Sequence, residues 1–505
     1  MGARHLYHNE DCTNFFYHHD TTGGRGGAAL DRYVDVLAGA GVTTLLCNTN
    51  AQLANYRSAA WEAFWDGFDP AGPDDQPFLA GIPAVRGPAA VTAWRRMVTH
   101  MRALWKEGVD YPARVIARCR HHGLSPWITL RMNDVHDNDT LAHPIHSSFW
   151  RHHPRLYRRG YDGYFARAFD FAHEEVRAHY DGLIDETLER YDLDGLELDF
   201  LREPYLFSRG EEEAGRLILT AWIADIRRRV EAAARRRGHA VALGVRSPSR
   251  PEAGLALGLD PVEWARRGLL DLVVVSPRWS TVEFDMPLRQ WRQLLQPFGV
   301  TLAGGLEILV GAHPGAPKRP VTAEEACGAA AQVLHDGADS VYLFNYFQDT
   351  DPDSVPDQWP RHRYQQTLRT LSSLEDIQRQ ARRHVLTFRD IVGPEGTPAA
   401  APLPARGSAL AFQLPSGPPP GSLLAELTLG LEDEAAGHPA PQVTANGSAA
   451  LELARQEGGT SRRLTFRVPA AALAASGPNR IEIRAADGRE LTVDWLDLRV
   501  FPAGA

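Results

Sequence analysis

The sequence lacks the marks of several protein classes. Its 505 residues include only four cysteines, Cys12, Cys47, Cys119 and Cys327, and no two of them have CxxC spacing. It has no apolar run of about 18 residues and no signal-peptide pattern at its start. We therefore expect buried free thiols, no membrane-spanning segment, and a cytoplasmic location, or a secreted one if a leader has been removed.

Positive charge is not concentrated in any part of the chain. Lys and Arg total 54 against 63 Asp and Glu, which gives a formal net charge of −9. The arginine runs at 227–229 and 235–237 lie in a segment that also has an apolar face, which is typical of a solvated helix surface. Nucleic-acid and anionic-membrane partners are therefore not expected. Motifs of the GxSxG, GxGxxG and P-loop types are missing, so we expect neither a serine nucleophile nor a nucleotide, and no cofactor.

What the sequence does contain is an alternation of short β-rich runs and amphipathic segments over its first three quarters. Each run mixes apolar, often β-branched residues with a polar or charged residue near its C-terminal end. Alternating βα units predict a parallel sheet, and eight in succession predict a (β/α)8 TIM barrel of the α/β class. The runs are His5–Glu10, Thr43–Asn48, Trp127–Asn133, Gly195–Phe200, Val241–Arg246, Leu272–Pro277, Leu302–Glu307 and Ser340–Tyr346. The helical segments include Ala28–Ala38, Val176–Arg190, Ala214–Arg236, Ala323–Leu334 and Arg363–Ala381.

The composition changes near Gly393. Residues 393–407 are rich in Pro, Gly and Ala and predict a linker, and short alternating runs separated by turn residues follow. We predict a catalytic barrel over residues 1–385 and an all-β sandwich over 386–505. The second module has few aromatic side chains, so bracing of the barrel is favoured over carbohydrate binding, which stays open. Its predicted strands are Ala409–Leu414, Leu424–Leu431, Leu464–Val468, Arg480–Arg484 and Leu491–Val500.

Two connections between runs are long. Ala51–Arg86 follows the second run and Asp134–Tyr161 follows the third, and both are rich in Trp, His, Pro and Gly. Loops after barrel strands build the substrate pocket in this class of fold. We therefore expect these two loops to line the pocket, with surface decoration as the alternative.

The fourth run, Gly195-Leu196-Glu197-Leu198-Asp199, has the most informative pattern. Side chains alternate along a strand, so Glu197 and Asp199 share one face and the leucines share the other. In a barrel the apolar face packs against the helices and the carboxylates enter the lumen near its top. Two carboxylates this close repel each other, a cost that a purely structural strand does not normally carry. A catalytic role is favoured, although Glu197 is also open to a role as the buried partner of an arginine.

The same stretch resembles a known family. The segments HEEVR at 173–177 and YDLDGLELDFLREP at 191–204 resemble the HPEVR and YDVDGI-x-x-D-x-x-R-x-P segments of glycosyl-hydrolase-like family 10 barrels. The fourth run is also similar to the DGxDxDxE strand of family 18 chitinases. Here Leu201 stands where that motif has its acid glutamate, so chitinase-type acid catalysis is not available from this position. The resemblance spans about residues 170–205 and implies a TIM-barrel glycosidase of carbohydrate metabolism.

The seventh run supplies a second candidate carboxylate. It ends Gly304-Gly305-Leu306-Glu307, and the glycines leave space beside the glutamate. Glycoside cleavage needs a proton donor at the leaving oxygen and a carboxylate that attacks or activates water. An arrangement with one carboxylate from each of these two strands resembles that of many retaining glycosidase barrels. We pair Asp199 as nucleophile or base with Glu307 as general acid, with Glu197 as third member, while a salt bridge that caps the lumen remains an alternative for Glu307.

Polar residues gather at the ends of the other runs as well. Arginines favour an ionised carboxylate beside them, and amides and short acids bind sugar hydroxyls, so an oligo- or polysaccharide substrate is expected. Trp127 begins its run and is expected in the core, whereas Trp150, Trp279 and Tyr346 are candidates for sugar stacking or for packing. The predicted substrate-binding residues are Glu10, Asp11, Asn48, Arg131, Asn133, Asp134, His136, Arg202, Arg246, Arg278, Trp279 and Asn345.

Two other functions remain open. A metal-dependent barrel hydrolase or isomerase is one, because histidines lie near acidic residues around the first and third runs; they are His8, His18, His19, His136, His143 and His146. Their spacing is irregular, and no metal ligand is assigned. The other is a non-catalytic carbohydrate-binding barrel whose acidic mouth only recognises sugar. A homo-oligomer is also left open.

Overall fold

The computed structural model describes residues 5–347, 359, 361–391, 399–419, 421, 423–432, 439–458 and 461–503. Residues 393–398 of the predicted linker lie outside these ranges. The described chain forms a closed parallel barrel with helices, followed by antiparallel sheets. The predicted fold class, a (β/α)8 TIM barrel followed by an all-β sandwich, is confirmed.

Each of the eight predicted runs overlaps one strand of the barrel. Strands β8 and β9 form a short antiparallel pair that lies between β7 and β10 in the chain. The first ten strands are β1 (Leu6–Asn9), β2 (Thr44–Asn48), β3 (Ser125–Arg131), β4 (Gly195–Asp199), β5 (Ala242–Pro248), β6 (Leu272–Ser276), β7 (Thr301–Glu307), β8 (Leu309–Val310), β9 (Arg319–Pro320) and β10 (Ser340–Phe344). Around the barrel the order is β1-β10-β7-β6-β5-β4-β3-β2, which returns to β1.

Apolar side chains lie on both sides of the barrel wall because strand residues alternate between the two faces. Leu196 and Leu198 of β4 point outward and belong to the large core formed with the helices. A second, smaller core fills the lumen, and its members are Tyr7, Leu46, Trp127, Leu272, Val274, Ala303, Tyr342 and Phe344. The lumen is therefore packed with side chains, and the polar ends of the strands meet above its floor.

Several helices begin at a side chain that caps the first turn. Helix α12, for example, begins with a capping box in which Thr322 and Glu325 satisfy each other's backbone N–H. The helices are α1 (Asn14–His18), α2 (Gly26–Gly39), α3 (Pro77–Ala80), α4 (Gly87–Lys106), α5 (Tyr111–His122), α6 (Ser148–His152), α7 (Glu174–Arg190), α8 (Glu212–Arg237), α9 (Pro251–Ala256), α10 (Pro261–Arg266), α11 (Leu288–Leu295), α12 (Ala323–His335), α13 (Arg361–Leu371) and α14 (Leu374–Gln378). Short 3-10 turns lie at Ala84–Arg86, Pro154–Leu156, Gly163–Phe165, Gln296–Phe298 and Ala470–Ala472.

The predicted amphipathic segment Arg363–Ala381 is helical but interrupted. The segment forms two helices, α13 and α14, separated by Ser372 and Ser373. The side chain of Ser373 accepts a hydrogen bond from the backbone N–H of Asp376 and so starts a new helix. Periodicity alone does not show this break, because both helices bury apolar residues at helical spacing.

The two long loops are ordered and carry large aromatic residues. Trp61, Phe64 and Trp65 after β2 and Trp150 after β3 are all at least nine-tenths buried and belong to the main core. These rings pack the loops onto the barrel instead of projecting from it, so they hold the loop backbone at the C-terminal end of the strands.

The C-terminal module contains two antiparallel sheets. The larger has the order β11-β20-β14-β18-β17 with β12 beside β20, and the smaller has the order β13-β19-β15-β16; apolar residues of both share one core. Its strands are β11 (Arg382–Val385), β12 (Ala405–Gly407), β13 (Ala409–Leu414), β14 (Leu424–Glu432), β15 (Gln442–Ala445), β16 (Ser448–Ala449), β17 (Leu451–Gly458), β18 (Ser461–Val468), β19 (Asn479–Arg484) and β20 (Leu491–Phe501). The proposed boundary at residue 385 stays a prediction, and β11, which precedes it, pairs with β20.

Two expectations about the whole chain can be compared with the described residues. All four cysteines are free and buried, as predicted. Within the described ranges, no helix has both the length and the apolar character needed to cross a membrane.

The contact between Gly195 and Trp127 tests the packing of the lumen floor. A Cβ on Gly195 would lie 2.2 Å from the Trp127 ring, which is held between neighbouring strands and cannot withdraw easily. Gly195→Ala should therefore lower the free energy of unfolding by about 1–3 kcal/mol, the usual cost of overpacking. Chemical denaturation followed by tryptophan fluorescence measures this change.

Gly182→Ala is the matched control for that substitution. Gly182 lies in α7, and its added Cβ would meet only Ala60 at 3.7 Å, an ordinary contact. It should leave stability unchanged or raise it by up to about 1 kcal/mol, because alanine favours the helix. Equal effects of the two substitutions would contradict the packed lumen.

Candidate active site

Asp199 lies at the C-terminal end of β4 and is held on both carboxylate oxygens. Its Oδ1 accepts a hydrogen bond of 3.0 Å from the backbone N–H of Leu201, and its Oδ2 accepts one of 3.1 Å from Nη1 of Arg246. Asp199 is 1% exposed and Arg246 is fully buried. The two side chains therefore form a buried ion pair between neighbouring strands, which fixes the orientation of the carboxylate.

Arg246 is itself positioned by residues of three other strands. Its Nη2 lies 3.3 Å from Oγ of Ser276 on β6, and its guanidinium lies 3.8 Å from the ring centroid of Phe344 on β10. On β7, a Cβ at Gly305 would lie 2.5 Å from Cβ of Ser276, so the glycine makes room for the serine. The space beside Glu307 that the sequence predicts at Gly304 and Gly305 is thus partly used to seat the arginine.

Glu307, at the end of β7, is held on one oxygen only. Its Oε1 accepts a hydrogen bond of 2.9 Å from the backbone N–H of Ile308. Its Oε2 has no hydrogen-bond partner among the residues that the structure describes, although Glu307 is 2% exposed. Burial raises the pKa of Glu307 to about 8, although the charges of Arg246 and Arg202 oppose the shift. Burial therefore favours the protonated form of Glu307 at neutral pH.

Glu197 lies one layer deeper in the lumen than Asp199. Its Oε1 accepts hydrogen bonds from Thr129 at 2.7 Å, Tyr342 at 2.9 Å and Asn9 at 3.3 Å. Burial, with a smaller contribution from the charge of Asp199, raises its pKa to about 7. Its hydrogen bonds come from neutral groups, and the buried arginine pairs with Asp199.

A hydrogen-bonded chain of charged groups runs across the mouth from β1 to the β4 loop. Arg131 donates to Asp11 at 2.9 Å and to Asp134 at 3.1 Å. The other oxygen of Asp134 lies 2.8 Å from Nδ1 of His136, and Nε2 of His136 lies 3.1 Å from Nη2 of Arg202. Arginine can only donate, so Nε2 of His136 accepts and Nδ1 carries the proton that it gives to Asp134. Five predicted site residues are thus brought together.

Three predicted amides bind backbone atoms. Asn48 accepts from the N–H of Cys12 and donates to the carbonyl of Thr129. Asn133 and Asn345 behave likewise: Asn133 bonds the backbone of Phe169 and Tyr205, and Asn345 accepts from the N–H of Asp11. Glu10 is nearby and 7% exposed. These contacts brace the loops around the mouth, and the sugar-binding roles of these residues stay predictions.

The β6 loop brings Arg278 and Trp279 to the mouth. Arg278 forms two hydrogen bonds, of 2.8 and 3.1 Å, to the carboxylate of Glu203, which follows β4. Trp279 is 37% exposed, and the ammonium of Lys318 lies 4.1 Å from the centroid of its ring. Trp279 is therefore the one of the three candidate stacking rings that solvent reaches, since Trp150 and Tyr346 are each 1% exposed.

A segment that follows β11 reaches this loop from the C-terminal side. The carboxylate of Asp390 accepts hydrogen bonds from the backbone N–H groups of Trp279 and Ser280, and its own N–H donates to Glu283 at 2.9 Å. Thr387 donates to the carbonyl of Val282 at 2.9 Å. The chain after the barrel thus holds the β6 loop in place, which supports the predicted bracing role.

Sequence reasoning missed Glu203, Lys318 and Asp390. Glu203 could have been found, since it stands in the REP segment at the end of the fourth run. Lys318 lies between β8 and β9, a short strand pair without a clear β-rich run, and Asp390 is far from the loop that it holds. Neither of these has a local signal.

The predicted histidine cluster does not form one site. His8 is buried below the mouth, bonds the carbonyl of Tyr346, and burial lowers its pKa to about 4. His143 and His146 pack against Trp94 and Trp150. Among the residues that the structure describes, no group of three or more His, Cys, Asp or Glu side chains is arranged to hold a metal ion.

A separate cavity of about 440 Å³ lies between the barrel and the C-terminal module. Phe284, Leu386 and Phe412 are among the residues that line it, and it includes none of the strand-end carboxylates. The candidate site is therefore defined by the carboxylates and arginines at the barrel mouth.

No protein-family model and no curated protein sequence matches this chain. Among solved structures, the chain is similar to the maltogenic alpha-amylase AmyB of Thermotoga neapolitana, with 10% identity over 97% of this chain and 98% of that one and a TM-score of 0.38. It is similar to an alpha-L-fucosidase of Vibrio sp. strain EJY3, with 12% identity over 98% and 89% and a TM-score of 0.35. It is also similar to the glycoside hydrolase domain of PelA from Pseudomonas aeruginosa, with 17% identity over 46% of this chain and 82% of that one and a TM-score of 0.31. At these TM-scores the similarities carry no argument about function. The assignment of the fold depends on the observed strand order. The resemblance to family 10 stays a prediction.

The raised pKa of Glu307 predicts a pH-dependent gain in stability on its removal. Between its ordinary value of 4.5 and about 8, Glu307 is ionised in the unfolded chain and protonated in the folded one, so rising pH destabilises the fold. Glu307→Gln should therefore raise the melting temperature more at pH 8 than at pH 5. Thermal melts across this range measure the difference. Exposed Glu213→Gln is the control, and a gain that is the same at every pH would contradict a protonated Glu307.

The hydrogen bonds of Asp390 predict a local loosening when its carboxylate is removed. In Asp390→Ala the backbone N–H groups of Trp279 and Ser280 lose their acceptor. Amide hydrogen exchange over residues 278–283 should become at least several-fold faster, since these amides then exchange by local opening. Asp390→Asn keeps an acceptor oxygen and should exchange nearly as the parent does. Unchanged exchange in the alanine variant would show that the loop is held by other contacts.

Proposed function

We propose that this chain is a glycoside hydrolase in which Glu307 is the general acid and Asp199 is the nucleophile or the base. The observation that carries the proposal is the unequal state of these two carboxyl groups around one arginine. Arg246 forms an ion pair with Asp199, while Glu307 is buried with a pKa near 8 and an Oε2 without partner. One group is thus suited to attack or to activate water, and the other to donate a proton.

The chemistry of glycoside cleavage uses such a difference. The leaving oxygen must receive a proton as the bond breaks, and the positive charge that develops at the sugar carbon is met by a carboxylate. A site that holds one carboxyl neutral and another ionised at the same pH supplies both groups without an external acid. Glu197 would position the side chains around it one layer deeper in the lumen, because its Oε1 accepts hydrogen bonds from three neutral donors.

The surroundings of the pair favour a carbohydrate as substrate. The mouth offers arginine, histidine and carboxylate groups that hydrogen-bond hydroxyls, and Trp279 offers a partly exposed ring at its edge. An oligo- or polysaccharide is therefore the proposed substrate.

Aryl glycosides with good and poor leaving groups test the two roles separately. Asp199→Asn should lose activity on all of them, because the attacking or activating carboxylate is gone. Glu307→Gln should lose about 10²–10⁴-fold on poor leaving groups, the usual contribution of a general acid. It should retain much of its activity on activated ones such as dinitrophenyl glycosides, which leave without a proton. A panel of α- and β-linked aryl glycosides of different sugars is assayed first with the wild-type enzyme. The glycoside that it cleaves is then used to compare the variants.

The pH profile is the second readout. Activity on poor leaving groups should fall as pH rises through about 8, where Glu307 loses its proton, and this limb should be missing in Glu307→Gln. Glu213→Gln should behave as wild type. Undiminished turnover in Asp199→Asn, or sugar binding without turnover in the wild type, would contradict hydrolysis by this pair.

A further inference from the structure

The mouth of the barrel holds more positive charge than the proposed reaction uses. Arg246 has a carboxylate partner in Asp199, and Arg278 has one in Glu203. Arg202 and Lys318, here called the rim cations, have no carboxylate within 4.0 Å among the described residues. Arg202 follows β4 by three residues and Lys318 lies in the β8–β9 connection after β7, so both reach the mouth from strands that bear the proposed catalytic pair.

Arg202 is the more unusual of the two. It is 8% exposed, its Nη2 donates to His136, and its Nε has no hydrogen-bond partner among the described residues. His136 lies between Arg202 and the carboxylate of Asp134. The ring of Phe344 lies 5.7 Å from the guanidinium, and the charge of Arg202 acts on Glu307. No carboxylate of the described residues therefore contacts the guanidinium directly, and a buried charge without a direct partner is costly.

Lys318 lies at the exposed edge of the same mouth. Its ammonium donates to Oγ of Ser280 at 3.1 Å and lies over the ring of Trp279. Asp390 and Glu307 act on it electrostatically, but Asp390 already accepts two backbone N–H groups and Glu307 is protonated at neutral pH. The lysine therefore contributes positive charge beside a ring on which a sugar can stack.

We propose that the sugar bound at this mouth carries a negatively charged substituent, a carboxylate or a sulfate, and that the rim cations Arg202 and Lys318 bind this group. The inference rests on the proposed function for one assumption, which is that the ligand is a sugar. Arginine binds carboxylate and sulfate oxygens through two N–H groups, and lysine adds a point charge. A neutral sugar would leave the guanidinium of Arg202 without a direct anionic partner in the complex, as it is among the described residues of the free protein.

Binding measured without turnover tests the inference directly. Glu307→Gln protein, which keeps the ion pair of Asp199 and Arg246, is titrated calorimetrically with oligomers of galacturonic and glucuronic acid, with sulfated oligosaccharides, and with neutral oligosaccharides of the same linkage and length. At least one acidic ligand should bind tenfold or more tightly than its neutral counterpart. Its affinity should fall as salt rises, because the attraction is between charges. The uronate and sulfate arms distinguish the two sources of negative charge.

Substitutions of Arg202 and Lys318 test whether these two side chains bind the negatively charged substituent. Lys318→Gln, made in the Glu307→Gln background, should reduce the preference for the acidic ligand by tenfold or more and leave affinity for the neutral one within a few-fold. Arg202→Gln in the same background should weaken binding of the acidic ligand by tenfold or more. Lys318 is exposed, so its variant carries the test if Arg202→Gln does not fold. Arg228→Gln is the matched control, because Arg228 lies on α8 with its side chain 69% exposed.

The outcomes separate this inference from the proposed reaction. Tight acidic binding with no turnover by the wild type would support the rim cations and contradict the hydrolase. Turnover of neutral glycosides, with no preference for acidic ones and unchanged by Arg202→Gln and Lys318→Gln, would overturn the inference and leave the hydrolase standing. Equal affinity for acidic and neutral ligands, or binding of neither, would also overturn it.

Discussion

The buried guanidinium of Arg246 is the constraint on which the rest of the site depends. It lies inside the barrel with no exposed surface, pairs with Asp199, contacts Ser276 and stacks on Phe344. A charge in this position must be balanced, and among the described residues Asp199 is the carboxylate in direct contact with it. Glu307 lies within its field but outside its hydrogen-bond reach, so burial dominates there and the proton stays. The same arginine thus forms an ion pair with one carboxyl group of the mouth and leaves the other to the effect of burial.

The fold supplies this arrangement by dividing its apolar residues between two cores. Helices and outward-facing side chains form one, and rings in the lumen form the other. Small residues set the remaining space: Gly195 admits the Trp127 ring at the floor, and Gly305 admits Ser276 below the arginine. The C-terminal module adds a fixed point from outside, since Asp390 holds the loop that presents Trp279. The site therefore rests on contacts that span most of the chain.

The sequence predicts the parts of this structure that follow from local pattern. Short runs of mostly apolar residues with a polar or charged residue near the C-terminal end place all eight barrel strands, and alternation places Glu197 and Asp199 on the lumen face. Contacts between distant segments are not encoded in such patterns. No periodicity indicates that Asp390 reaches the β6 loop or that Ser373 starts a second helix. Nor does it indicate that the side-chain amides of Asn48 and Asn133 form hydrogen bonds with backbone groups. The strand ends were predictable, whereas the partner of each strand-end residue depends on the tertiary packing.

The protonation state of Glu307 is the most direct test of this account. Infrared difference spectra between wild type and Glu307→Gln, recorded from pH 5 to pH 9, resolve the carbonyl stretch of a protonated carboxylic acid from the bands of a carboxylate. We expect an acid band that belongs to Glu307 at pH 7 and its loss as pH rises through about 8. A carboxylate band at pH 7, with no protonated Glu307 above pH 6, would contradict the unequal pair and the mechanism built on it.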